Sequence, residues 1–219
     1  MTGRGHPPNS RGAALLICLL LLTALTLLGL AAASDMTLQH RMAGNIESAR
    51  ESLRNAEAGL LWAERWLLSL SGDARPASCA ANCAPGDVIR AENVYPPSPA
   101  VFDENWWAIH GIAAGVEPEL GILDPDLYDL GSHWLVEEVH HATQTTTPDH
   151  PGEVSYYRIT ARGSEAGGAG VSIVQGILAR PWGDPKWTDP LPPGFGQRNL
   201  CHRFGIAPPC GRVAWRQLR

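Results

Sequence analysis

The chain has 219 residues, a length that fits one domain with an attached segment. Its 17 basic and 22 acidic residues give a formal net charge of −5 at pH 7, so there is no electrostatic reason to expect direct nucleic-acid binding. The 23 glycines and 18 prolines are concentrated after Gly72. Beyond that point the chain is therefore predicted to be rich in turns and loops.

Residues 13–33 form an uncharged apolar run close to the N-terminus. As a helix this run would be roughly 31 Å long, enough to cross the core of a bilayer. Residues 1–12 carry Arg4 and Arg11 but no acidic residue. The positive-inside rule therefore predicts one membrane span, with the N-terminus in the cytoplasm and the rest of the chain on the far side.

The composition of this run leaves three interpretations open. The three alanines before Ser34 resemble the cleavage site of a secretory signal. The run also fits a plain membrane anchor, or a helix that stays attached after a short leader is cut from its cytoplasmic side. No Gly or Pro break separates the run from the polar helical pattern that follows, which favours a run that is retained.

Residues 34–70 are predicted to continue the helix as an amphipathic segment. Apolar or small residues recur at alternating spacings of three and four, the pattern of a helix that packs along one face. This seam consists of Ile46, Ala49, Leu53, Ala56, Leu60, Ala63, Leu67 and Leu70. A helix over residues 13–70 would be roughly 87 Å long, more than one small domain can cover. The excess must therefore lie in a membrane or against similar helices.

Several separated motifs carry a resemblance to a known family. They are RGAAL at 11–15, LTLLG at 25–29, RMAGN at 41–45, NAEA at 55–58 and AE at 63–64, with weaker echoes in YRITARG at 157–163 and GRVAWR at 211–216. In this order they resemble the PilX family, which are minor pilins of bacterial type IV pili. The resemblance implies a pilin architecture, with a long N-terminal helix packed on a sheet.

The resemblance also implies a processing site and one departure from the common pilin pattern. Gly12 would precede the cut made by prepilin peptidase, and Ala13 would become the methylated amino terminus, so that residues 1–12 are a leader. Most pilins have phenylalanine at the new terminus and, a few residues later, a glutamate that pairs with the terminal amine of a neighbouring subunit. Ile17 stands where that glutamate is expected. Its loss suits a subunit at the tip of a fibre, with no such neighbour on one side.

The implied function is a non-enzymatic assembly role: a minor pilin that helps to prime pilus assembly and sits at or near the tip. Its implied partners are other minor pilins, the major pilin and a large tip adhesin, and its implied location is the bacterial inner membrane with a periplasmic domain. One alternative is a minor pseudopilin of the type II secretion tip complex. Another is a membrane-anchored periplasmic binding protein or enzyme, for which the helix is only an anchor.

Residues 71–219 are predicted to form one periplasmic globular domain. Alternating apolar residues predict strands at 134–139, 154–161 and 171–179, separated by polar or Gly-rich loops at 144–152 and 163–170. Residues 213–218 would add an edge strand. The expected fold class is therefore α+β, with the long helix on an antiparallel sheet of about three to four strands.

Five cysteines indicate export to an oxidising compartment. Cys18 lies in the apolar run, and the other four form two close pairs, Cys79 with Cys83 and Cys201 with Cys210. Four cysteines permit three connectivities, and local pairing is favoured because each pair flanks a short loop rich in Pro or Gly. The Cys-x3-Cys spacing differs from the usual spacing of zinc and redox motifs, so a zinc site or a redox-active pair is a less favoured interpretation.

Other candidate sites are weaker. Trp106 and Trp107 are the best candidates for a partner contact, because tryptophan is enriched at interface hot spots. The histidines at 133, 140 and 141 and the aspartates at 124, 126 and 129 do not follow a metal-binding pattern. No motif for nucleophilic catalysis or phosphate binding occurs in the sequence, so no cofactor or metal is expected.

Overall fold

The computed structural model describes residues 11–70, 75–84, 87–95, 102–118, 121–128, 130–147, 150–165, 170–183, 201 and 209–218. It contains a long helix, two short helices and eight strands within those residues. The chain divides into two units, Met1–Glu47 and Ser48–Arg219, and each is described separately below. The long helix α1 (Arg11–Ser69) contributes residues to both units.

The first unit is helical in every described residue, and its described side chains are all exposed. One helix in the described chain, spanning Ala14–Ser69, has the length and apolar character needed to cross a membrane. No residue of its most apolar window is buried. This unit is consistent with a single membrane-spanning anchor.

The second unit contains a mixed sheet, with strand order β1-β5-β6-β7-β8 and with β2 also paired to β5. The strands are β1 (Ile89–Ala91), β2 (Ile112–Ala113), β5 (His133–Thr147), β6 (His150–Ser164), β7 (Val171–Trp182) and β8 (Gly211–Gln217). Strand β1 runs parallel to β5, and every other pairing in this sheet is antiparallel. The α+β class is confirmed, but the expectation of three to four purely antiparallel strands is wrong.

The two short strands explain that difference. Strand β1 has three residues and β2 has two, too few to produce a visible alternation of apolar and polar residues. The long strands also extend further than predicted. Strands β5 and β6 continue through most of the loop expected at 144–152, where a run of threonines supplies β-branched side chains.

Two short helices and a small hairpin complete the described elements. Helix α2 (Glu104–His110) begins after Asp103, whose carboxylate accepts a hydrogen bond from the Trp106 amide at 2.9 Å. Strands β3 (Val116–Glu117) and β4 (Gly121–Ile122) pair antiparallel, and α3 (Pro125–Tyr128) follows them. The Trp62 indole on α1 donates to the Val116 carbonyl at 3.0 Å, which ties this hairpin to the long helix.

The main core lies between the last third of α1 and one face of the sheet. Ala56, Leu60, Ala63 and Leu67 of the predicted seam have no exposed surface. They pack in one cluster with sheet residues, notably Trp134, Val136, Tyr157, Ile159, Val174 and Leu178. The small alanines let the backbones approach closely: a Cβ at Gly163 of β6 would overlap the Ala56 amide and the Ser52 carbonyl. The first positions of the seam, Ile46 and Ala49, stay exposed.

Candidate assembly surfaces

The predicted processing site lies at the beginning of α1. The helix begins at Arg11, so Gly12 and Ala13 fall in its first turn, and their side chains lie outside the described residues. Ile17 follows one turn later, with 55% of its surface exposed. It therefore presents an apolar side chain where the resemblance calls for a carboxylate.

A long apolar surface covers the first unit. Its large apolar side chains are more than half exposed, and they are Leu15, Leu16, Ile17, Leu19, Leu20, Leu21, Leu22, Leu25, Leu27, Leu28, Leu30, Met36, Leu38, Met42 and Ile46. A contiguous apolar surface of this kind is unfavourable in water. A lipid environment or other apolar helices would cover such a surface.

The C-terminal end of α1 is held by a buried arginine. The Arg180 side chain, from β7, donates to the carbonyls of Leu67 and Leu70 and is only 1% exposed. Its guanidinium also lies 3.7 Å from the centre of the Trp182 ring. Burial lowers the pKa of Arg180 from 12.5 to about 9. The arginine therefore satisfies helix carbonyls that would otherwise lack partners inside the core.

An ion pair links α1 to the edge strand β8. The Arg212 guanidinium donates two hydrogen bonds to the Glu64 carboxylate, at 2.6 and 2.8 Å, and Glu64 is 3% exposed. The bonds to Glu64 raise the pKa of Arg212. Beside this pair lies an open groove of about 300 Å³, lined by Glu57, Leu60, Leu61, Arg212 and Trp215.

The face of the sheet opposite α1 carries polar pairs across neighbouring strands. Arg158 donates to Glu137 at 3.0 Å, and Gln175 donates to the Thr160 hydroxyl at 3.0 Å. Arg216 of β8 in turn donates twice to the Gln175 side-chain oxygen, at 3.0 and 2.6 Å. These contacts join residues that are directly opposite each other, so they also help to fix the strand register.

Both predicted cysteine pairs form disulfides in the structure. Cys79 bonds to Cys83, and Cys201 bonds to Cys210, immediately before β8. Cys79 also pairs with Arg90 on the outer side of β1, so that the small disulfide loop covers that edge of the sheet. One disulfide thus lies next to the edge strand β1 and the other next to the edge strand β8.

The two tryptophans proposed for a partner contact have different environments. Trp107 has no exposed surface and packs in a second core cluster with Tyr95, Leu135 and Ile173. Trp106 is partly buried and stacks on Phe102, with ring centres 4.3 Å apart. Because Trp107 is part of the core, Trp106 is the one of these two residues that keeps exposed surface for the proposed partner contact.

The three histidines at 133, 140 and 141 have different environments. His141 shares a hydrogen bond with the Ser155 hydroxyl at 3.0 Å, and His140 lies 5.9 Å from the Tyr156 ring. Burial lowers the pKa of His133, which favours its neutral form. In the part of the chain that the structure describes, the one cluster with metal-binding residue types is Cys79, Cys83 and Asp87, and its sulfurs are already joined to each other.

Two of the features above escaped sequence reasoning. Arg180 interrupts an apolar strand pattern, and a charge in such a run is a signal of a buried partner. Its partners lie 113 and 110 residues away, however, and no local pattern identifies them. The pair of Glu64 and Arg212 spans 148 residues and is hidden for the same reason.

A scan against protein-family models, a search of curated proteins and a search of solved structures each found no match to the chain.

Proposed function

We propose that this chain is a minor pilin of a bacterial type IV pilus, an assembly subunit and not an enzyme. The observation that supports the proposal most is the uninterrupted helix Arg11–Ser69, which is exposed and apolar at its beginning and packed on a sheet at its end. A secretory signal has no need to continue as the core helix of the domain that it exports. A pilin does, because the same helix anchors the subunit and later joins the fibre.

The proposed cell biology follows from this arrangement. Prepilin peptidase cuts between Gly12 and Ala13, the apolar half holds the subunit in the inner membrane, and the domain faces the periplasm. Disulfides at both edges of the sheet suit that oxidising compartment. The partners are other minor pilins, the major pilin and a large tip adhesin, contacted first through α1.

The position proposed for the subunit is at or near the tip. Ile17 cannot neutralise the terminal amine of an adjacent subunit, and an unpaired charge in an apolar bundle costs several kcal/mol. A type II secretion pseudopilin at the tip of its complex would share this feature. The two assignments differ in the assembly that incorporates the chain.

Mass spectrometry of the N-terminus of the membrane-extracted protein tests the processing step. We expect a mature chain that starts at methylated Ala13. Gly12→Val should block the cut, because a branched side chain replaces the residue at the cleavage site, whereas Gly5→Val in the leader serves as the matched control. A terminus at Ser34 or Asp35 would refute the pilin assignment and restore the secretory signal.

A further inference from the structure

The outer sides of the edge strands β1 and β8 differ in whether backbone hydrogen bonds cover them. The outer side of β1 is covered, because the Cys79 amide donates to the Ile89 carbonyl at 2.9 Å and the Ala91 amide donates to the Cys79 carbonyl at 2.8 Å. The opposite edge is β8, and no strand among the described residues pairs with its outer side. Arg212 to Gln217 of this strand are all exposed. Uncovered edges of this length are templates for pairing with another strand, and proteins usually protect them.

The backbone direction shows which groups β8 offers. The Leu218 amide donates to the Ile173 carbonyl at 2.8 Å, so the amide of Leu218 points towards β7. Because amide directions alternate along a strand, the Arg216 amide also points inward and the Trp215 amide points outward. An incoming strand would therefore find its hydrogen-bonding partners at Trp215.

The side chains beside this edge indicate what such a strand carries. Trp215 and Leu61 are each 45% exposed and line the groove of about 300 Å³ between β8 and α1. This groove can receive an apolar side chain. On the other face, Arg216 is exposed and bonds only a neutral amide oxygen, that of Gln175, and it forms no ion pair among the described residues. A carboxylate on the incoming strand would complement its charge.

A second copy of β8 is a poorer occupant of this edge. Antiparallel pairing of two β8 strands centred on Ala214 would set Arg212 opposite Arg216. Pairing centred on Arg216 would set that arginine opposite its own copy. Like charges directly opposite each other destabilise a strand pair in these two registers, and β8 contains no acidic residue that could complement Arg216 in any register.

We propose that the outer edge of β8 binds an extended, acidic segment of another protein by strand addition, with an apolar side chain of that segment in the groove beside Trp215. Main-chain hydrogen bonds supply affinity in this mode, and the groove and Arg216 supply selectivity. The proposal does not depend on the pilus assignment, because it concerns only the folded domain.

Amide hydrogen exchange on the full chain in detergent micelles tests whether the edge is open. We expect fast exchange at the Trp215 amide and slow exchange at Arg216 and Leu218. Equal protection of Trp215 and Arg216 in the unliganded chain would overturn the proposal, because another segment or copy would already cover the edge.

Selection of nine-residue peptides from a random phage-displayed library, against the same full chain, tests the chemistry. We expect enriched sequences that place Asp or Glu between alternating apolar residues. Enrichment of sequences without acidic residues, or of none, would overturn the proposal. The enriched peptide, synthesised with a fluorescent label, is then measured by anisotropy against variants of the chain.

Three comparisons among those variants are decisive. Arg216→Glu should weaken peptide binding by about tenfold or more, whereas Arg216→Lys and the charge reversal Arg65→Glu on the exposed side of α1 should leave it within about threefold. Trp215→Pro should bind more weakly than Trp215→Ala, since both remove the indole and only proline removes the outward amide. Thermal melting confirms that each variant is folded. Equal binding by Arg216→Glu and Arg65→Glu would contradict the proposal.

Discussion

Both halves of α1 carry leucines and alanines, but the large apolar side chains of the two halves differ in burial. Leu28 in the first half is 67% exposed, whereas Leu60 in the second half has no exposed surface. In the second half, Ala56 and Ala63 lie on the face that packs against the sheet of the same chain. No described residue of the first unit packs over the apolar side chains of the first half. Burial therefore separates the part of α1 that packs in the folded domain from the part that is exposed.

Truncation of one leucine in each half should separate these roles. We expect Leu60→Ala to lower the free energy of unfolding of the domain by about 2–5 kcal/mol, because it leaves a cavity under the helix. Leu28→Ala should change it by less than about 0.5 kcal/mol, as for other exposed sites. Tryptophan fluorescence during urea unfolding in detergent measures both. Equal losses would mean that the first half also packs in the folded domain.

A single methyl group added where α1 and β6 approach closely should lower the stability of the domain. Gly163→Ala places a Cβ against backbone atoms of Ser52 and Ala56, which cannot move aside, so we expect a loss of about 1–3 kcal/mol. Gly176→Ala is the matched control, since its nearest neighbour is the Leu60 side chain at 3.3 Å. Thermal melting of the two variants ranks them. A more stable Gly163→Ala variant would show that the contact between helix and β6 is looser than described.

The core beneath α1 should also produce an alkaline dependence of stability. Burial raises the pKa of Tyr157 from 10.0 to about 12, so the folded chain keeps this proton at a pH where the unfolded chain loses it. At this tyrosine the unfolded state then binds fewer protons, so the contribution of Tyr157 to stability falls as the pH rises through 10 to 12. We expect Tyr157→Phe to gain about 1 kcal/mol relative to the unmodified chain between pH 8 and 11. Urea unfolding at several pH values compares the two, and parallel curves would contradict the buried phenol.

The sequence predicted the parts of this fold that depend on local periodicity. The spacing of Ala56, Leu60 and Ala63 predicts a helix face, and alternation predicts the centres of β5, β6 and β7. Strand β1 escaped because three residues carry no period, and because it is positioned by pairing with β5, some 47 positions away (Ile89 with Val136). The edge strand predicted at 213–218 forms as β8, whereas the capping of α1 by Arg180 escaped because it is a property of the assembled sheet.

The smallest expected effect on domain stability belongs to Ile17, and it carries the sharpest test of the first half of α1. Ile17→Glu should change the unfolding of the domain by less than about 0.5 kcal/mol, because Ile17 is exposed and lies outside the unit that contains the sheet. Its effect should appear in assembly instead. A glutamate in an apolar bundle is tolerated only beside a partner amine, so at a tip position the variant should be incorporated less often than the unmodified chain.

Ile17→Leu, which keeps the apolar character, is the control. Immunogold labelling of pili counts both variants. Regular decoration along the shaft, at a stoichiometry comparable to that of the major pilin, would refute a tip role for the subunit.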